Sequence, residues 1–389
     1  MALPRRPLTT ATALPAALAL AAALALPSVA RAQTADAPEV ALVTVGPGDD
    51  VFSRFGHAAL CVRDPATPQG RCYNYGTADF TTPAPLTWAV LRGRGRFWVS
   101  VVDEPAMVAH YARVEDRTVW RQVLALPPEA RRRLADRLAW DALPAHRHYV
   151  YHHYRDNCTT RLRDHLDAVS ERALSPARIT VTERSWRDRT REGFASDLRL
   201  LGLAELLLGS ALDAPMNRWE EMFLPSVLRE EVARALSSPA VAVSTRARPL
   251  PEGESTRGLG VLIGFSAIIS LLGLLGGSPR PRLLSLSARA LTALLLAVPG
   301  LAVWSMVVGS TLPELRHNAV ALVLVPTDLA LAWPSTWRRY GRARLVLLVL
   351  VVLGWCAGWF AQSAVGVLSL GALLAVGALT RSERARPTE

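Results

Sequence analysis

The feature that most restricts this chain is an abrupt change of composition at Gly258. Beyond it lie five apolar stretches, at about 258–277, 290–310, 318–334, 345–361 and 364–380. Each is near the ~20 residues that an α-helix needs to cross the hydrocarbon of a bilayer. Residues 258–380 are therefore expected to fold as an all-α bundle of about five transmembrane helices, with 381–389 as a cytoplasmic tail. With residue 257 outside, threading the stretches in order leaves Arg280, Arg282, Arg289, Arg338, Arg339, Arg342, Arg344, Arg381, Arg384 and Arg386 inside, and Arg316 alone outside. That bias follows the positive-inside rule and sets the preceding domain outside the cytoplasm. A three-span arrangement that merges the weaker stretches is the alternative.

The N-terminus supports the same topology. Arg5 and Arg6, an apolar core at 14–26 and the small-residue site Ala30-Arg31-Ala32 read as a signal peptide over 1–32; an uncleaved anchor helix is the other possibility. All 44 basic residues are arginine, against 33 acidic ones. Between 33 and 257 the signs nearly cancel, so the excess belongs to the apolar ends. That argues against nucleic-acid binding, which needs a basic face on a folded domain.

Residues 33–237 are long enough for one exported α+β domain. Val-, Tyr- and Phe-rich runs at 40–45, 57–62, 71–75 and 97–102 read as strands broken by Gly and Pro turns. Helical periodicity follows at 128–140, 159–170, 194–208 and 226–236. Residues 238–257, rich in Ser, Pro, Arg and Gly, are expected to link this domain to the membrane.

Of four cysteines, Cys356 falls in an expected span, and Cys61 and Cys72 end and begin adjacent expected strands, where an oxidising compartment would allow a cross-strand disulfide. Cys158 is left over, either inert or reactive. It sits in Asp156-Asn157-Cys158-Thr159-Thr160-Arg161, at the expected first turn of a helix, where free N–H groups and the helix dipole favour a thiolate. Its N–H is a natural oxyanion donor, with Asn157 and Asn74 as candidate second donors. His57, behind Gly56 at the start of a strand, is the candidate base, on a face shared with Ala59 and Cys61. The run from His146 to His153 offers a zinc-like spacing between His148 and His152, but no acidic or thiolate partner completes a motif. Asp328, His317 and Asn318 are polar groups within the apolar tail, where ionisable residues are candidates for function; the alternative for Asp328 is a helix-end carboxylate reaching water or an arginine such as Arg338.

Phe55-Gly56-His57, Tyr73-Asn74-Tyr75-Gly76-Thr77 and Asp156-Asn157-Cys158-Thr159-Thr160-Arg161, in that order, resemble the Lnb-type lipoprotein N-terminal transacylases, as do Tyr111, Arg117, Leu224-Pro225 and the stretch from His317-Asn318 to Pro326. The resemblance implies a permuted papain-like domain followed by membrane helices. It also implies transfer of an acyl chain from a diacylglyceryl-cysteine to that cysteine's α-amino group. By this resemblance Cys158 is the nucleophile and His57 the base. A third group comes from Tyr73, Asn74 or Tyr75, of which Asn74 suits best because an amide oxygen can hold an imidazole N–H. Tyr75, Asn157, Arg161, His317, Asn318 and Asp328 are then candidate substrate contacts. The expected partners are a membrane lipid or lipoprotein and the bilayer, with no cofactor and no metal. A cysteine peptidase or amidase acting on cell-wall peptide through the same pair is the second class of function. A non-catalytic protein in which Cys158 is structural is the third.

Overall fold

The computed structural model describes residues 37–64, 67–278, 281–333 and 336–381. The expected signal peptide and the residues after Arg381 lie outside them. Seven antiparallel strands form the main sheet, β1 (Glu39–Val45), β2 (His57–Asp64), β3 (Thr67–Thr77), β4 (Arg96–Asp103), β5 (Val119–Val123), β6 (His148–Val150) and β9 (Val241–Ser244), in the order β6-β4-β3-β2-β1-β5-β9. A separate ribbon pairs β7 (Val181–Ser185) with β8 (Pro215–Asn217). Between strands lie α1 (Pro83–Leu91), α2 (Glu104–Ala109), α3 (Pro128–Asp141), α4 (Cys158–Val169), α5 (Trp186–Phe194), α6 (Leu198–Leu207), α7 (Arg218–Glu221) and α8 (Pro225–Ala235).

All four expected strands form, because alternation places one set of side chains on each face of the sheet. Leu42, Ala58, Leu60 and Val62 meet Leu134 and Leu138 of α3, Leu162 and Leu166 of α4, and Leu228 and Val232 of α8 in one buried core. The opposite face holds Val43, Ala59, Cys61 and Cys72 under Met107 in a second, smaller buried cluster. Cys61 and Cys72 are directly opposite in register and form a disulfide.

Two expectations are corrected. The helix expected over 194–208 is split: α5 ends at Phe194, and Asp197 starts α6 by accepting from the N–H groups of Arg199 and Leu200. The segment 238–257, expected as a linker, supplies β9, which extends the sheet beside β5. Behind it Arg246 and Arg248 pair with Asp49 and Asp116. Backbone pairing and ion pairs thus absorb a stretch whose composition suggested none.

The tail comprises α9 (Arg257–Gly276), α10 (Arg282–Gly309), α11 (Pro313–Arg316), α12 (Trp337–Cys356) and α13 (Ser363–Arg381). Four segments are long and apolar enough to cross a membrane: α9, α10, Pro313–Ala332 and α13. The third is not a continuous helix; it is α11 followed by two short 3-10 turns, Ala319–Leu322 and Pro326–Ala332. Pro326 interrupts the ladder because it has no N–H to donate. The stretch at 345–361 falls largely in α12, whose first turns carry Arg338, Arg339, Arg342 and Arg344, and it stands outside those four. Small residues let α9 and α13 touch: a Cβ on Gly273 would collide with the Ala375 backbone, and Ser266 donates to the Val367 carbonyl at 3.1 Å.

Candidate active site

β2, β3 and the start of α4 converge at one end of the main sheet. His57 is the first residue of β2 and follows Gly56, which has φ +86°. A side chain at Gly56 would meet the Val45 carbonyl oxygen at 2.7 Å, so the tight approach that delivers His57 needs glycine there. Asn74 lies two residues beyond Cys72 on β3, hence on the same face. Its Oδ1 is 3.0 Å from His57 Nε2, and its amide donates to the Cys72 carbonyl at 3.3 Å. Because an amide oxygen can only accept, Nε2 carries the proton and Nδ1 is left to meet the Cys158 thiol, with which the imidazole shares a hydrogen bond.

Asn157 caps α4. Its Oδ1 accepts from the N–H groups of Thr159 at 2.9 Å and Thr160 at 2.8 Å, while its own N–H donates to the Thr160 hydroxyl at 2.9 Å. Its amide donates to the carbonyls of His153 and Phe223. The cap leaves the Cys158 N–H, at the first helical position, with no acceptor among the described residues. Asn157 therefore has no amide donor to spare for an oxyanion, contrary to the expectation from sequence, whereas Asn74 spends one of its two amide hydrogens on the Cys72 carbonyl.

A further donor stands close by. The Tyr149 hydroxyl is buried, its oxygen faces the Gly76 N–H, and its own O–H has no acceptor among the described residues. The point where a Cβ of Gly76 would stand is 3.9 Å from Tyr149 Oη, 4.0 Å from the Cys158 nitrogen and 3.4 Å from the Cys158 Cβ. Gly76, with φ +87°, keeps that point empty between two unused donors. Sequence reasoning missed Tyr149 because it lies in the histidine run read for metal; its place on β6, beside β4, is what aims it.

Cys158 is 8% exposed. Burial pushes its thiol up, but the charge and hydrogen bond of His57, aided by the Thr159 hydroxyl and the Ala58 N–H, bring it below the ordinary thiol value. Burial pushes His57 down, and the charge of Cys158 with the hydrogen bonds to Cys158 and Asn74 outweighs it, so its pKa is raised. The two shifts favour a thiolate–imidazolium pair. His153, pulled down to about 4 by burial and by His152, stays neutral beside them.

The thiol borders a cavity of about 60 Å³ that is also lined by His57, Gly76, Tyr151, His153 and Phe223. His57, Gly56, Gly76, Phe52 and Phe80 line both this cavity and a cleft of about 720 Å³ that runs past Met107, Tyr111 and Arg117.

The remaining expected contacts lie elsewhere. Tyr75 points into the core, donating to Asp141 at 2.6 Å beside His165. Arg161 pairs with Asp156 and lies over the Tyr149 ring at 3.8 Å. Asn318 donates to the carbonyls of Leu206 and Leu207, closing the end of α6, and the His317 carbonyl accepts from Ser210. Asp328 is fully buried in the tail against Arg344 and Tyr340. The carboxylate thus reaches an arginine, Arg344.

The tail also holds the loop that presents the thiol. Glu314 accepts from Arg155 at 3.1 Å and lies 3.5 Å from His152. Residues 27–187, a span containing His57, Asn74, Tyr149 and Cys158, match the family model described as the Lnb N-terminal periplasmic domain. No curated protein and no solved structure matches the chain.

Proposed function

Because residues 27–187 belong to the Lnb N-terminal periplasmic domain family and four membrane-length apolar segments follow, we propose that the chain is a membrane-anchored thiol acyltransferase of lipoprotein processing. In this reading the exported part is a permuted papain-like domain, with the nucleophile on a helix and its base on the sheet. α12 joins the four apolar segments as a fifth span.

The observation that carries the proposal is the meeting of an imidazole held by Asn74 with a capped-helix thiol, above an empty point flanked by two unused donors. The Cys158 thiolate attacks an ester carbonyl of a diacylglyceryl group. The oxyanion is stabilised by the Cys158 N–H and the Tyr149 hydroxyl. The imidazolium of His57 gives its proton to the departing glyceryl oxygen, leaving a thioester on Cys158. An α-amino group attacks that thioester, His57 takes the amine proton, and the thiolate leaves from an N-acyl product. The apolar walls of the cleft disfavour water, which would otherwise compete with the amine.

Mass spectrometry of lipoprotein N-termini tests this. Cells expressing the wild-type chain carry N-acylated termini, and cells expressing Cys158→Ala at equal abundance do not. Equal acylation in both overturns the proposal.

A further inference from the structure

The strip from Phe80 to Leu91, which no step above uses, contains no charged residue and includes α1. No residue of α1 is buried; Phe80 and Trp88 are each 47% exposed. An uncharged helix with a bare tryptophan is ill suited to a water-facing surface and well suited to the interface of a bilayer, where indole rings concentrate. Directly after it come Arg92, Arg94 and Arg96, alternating with glycine.

The end of this strip is fastened to the tail where α10 finishes. Ser310 donates to the Leu91 carbonyl at 2.6 Å, and the Thr311 hydroxyl donates to the Arg92 carbonyl at 3.2 Å. The Arg92 guanidinium lies 3.7 Å from where a Cβ of Gly309 would stand. Gly93, with φ +69°, has no room for a side chain because Thr311 fills that space. α10 is one of the four segments long and apolar enough to span a membrane, so its outer end fixes the level of α1. At the same level the Arg92 guanidinium stands 5.7 Å over the Trp88 ring, and Arg94 and Arg96 are exposed, free to meet phosphate oxygens. At the other end of the strip, Phe80 and Pro83 line the cleft that contains His57.

We propose that α1 lies in the outer interface of the membrane that holds the tail, with Arg92, Arg94 and Arg96 on phospholipid phosphates, so that the His57 cleft opens onto the bilayer and receives an acyl chain from it laterally. The seating of α1 follows from the fold alone; the acyl chain as occupant of the cleft rests on the acyltransferase reading.

The full-length chain in nanodiscs containing anionic phospholipid tests it. An environment-sensitive fluorophore is attached at Leu86→Cys or Trp88→Cys in a background carrying Cys158→Ala and Cys356→Ala, and doxyl-labelled lipids are the quencher. Ile179→Cys, at a position 87% exposed, is the aqueous control. The expected result is strong quenching by shallow doxyl groups at 86 and 88 and none at 179; equal absence of quenching at all three overturns the seating. In the chain with native Cys158, Leu86→Glu with Trp88→Glu is expected to raise the KM for a bilayer-embedded substrate about tenfold while iodoacetamide still alkylates Cys158 at the wild-type rate. An unchanged KM overturns the lateral entrance. Quenching at 86 and 88, together with no acyl transfer by the chain that keeps Cys158, would leave the seating intact and remove the acyltransferase reading.

Discussion

Two polar clusters can be compared, one in the exported domain and one in the tail. In the tail, the Asp328 carboxylate accepts from Arg344 Nε at 2.8 Å and Tyr340 at 2.8 Å. Arg344 spends its other donors on the Leu322 and Val323 carbonyls, which the broken segment leaves exposed. Every group there is consumed. In the exported domain His57, Asn74 and Cys158 are similarly bonded to one another, but the Cys158 N–H and the Tyr149 O–H have no acceptor among the described residues and flank an empty point. Buried polarity by itself therefore does not mark a reactive site. The tail cluster satisfies a discontinuous backbone in an apolar surrounding; in the proposed reaction the domain cluster holds donors in reserve for the charge that develops.

The sharpest break in this comparison comes from Cys158→Ala, which is expected to lower acyl transfer by ~10⁴-fold or more with folding intact, as measured by turnover and thermal melting. Arg344→Met should behave in the opposite way. Leaving Asp328 buried and unpaired costs about 3–5 kcal/mol, so the melting temperature falls while the fraction that stays folded alkylates at Cys158 normally.

Tyr149→Phe keeps the ring under Arg161 and removes only the hydroxyl. It is expected to lower kcat by about 100-fold with little change in KM or stability. If kcat is unaffected, Tyr149 is not an oxyanion donor.

The rate of Cys158 alkylation against pH reads the ion pair directly. The lowered pKa of Cys158 and the raised pKa of His57 bring the two titrations toward one another, which favours the ion pair. His57→Ala should move the alkylation inflection upward, toward the ordinary thiol value of about 8.5. An unmoved inflection would show that His57 does not set the thiol's acidity.

The smallest effect is expected from Asn318→Ala. It removes two hydrogen bonds to the end of α6 and should cost about 1–3 kcal/mol of stability without altering the alkylation profile. A selective loss of turnover instead would restore Asn318 as a substrate contact.

Much of the site was legible before the fold. Cys158 stood out as the thiol left over, placed at the expected first turn of a helix. The choice among Tyr73, Asn74 and Tyr75 was also within reach. A Cys61–Cys72 bridge fixes one face of two adjacent strands, and alternation then puts Asn74 on the side of His57 and Tyr75 on the other. Tyr149 was not legible, because its strand joins the sheet across β4, at a distance in sequence that periodicity does not span. Nor were the roles of Asn318 and Asp328, because polarity in an apolar stretch looks the same whether it binds a ligand or closes a broken helix.

The sequence by itself determined which segments are apolar enough to cross a membrane, where α4 begins and which thiol is unpaired. These are local matters of composition, capping and count. Only the tertiary structure decided which donors are used and which are spare, since a hydrogen bond is assigned by the partner that arrives, and here the partners come from strands and helices far apart in the chain.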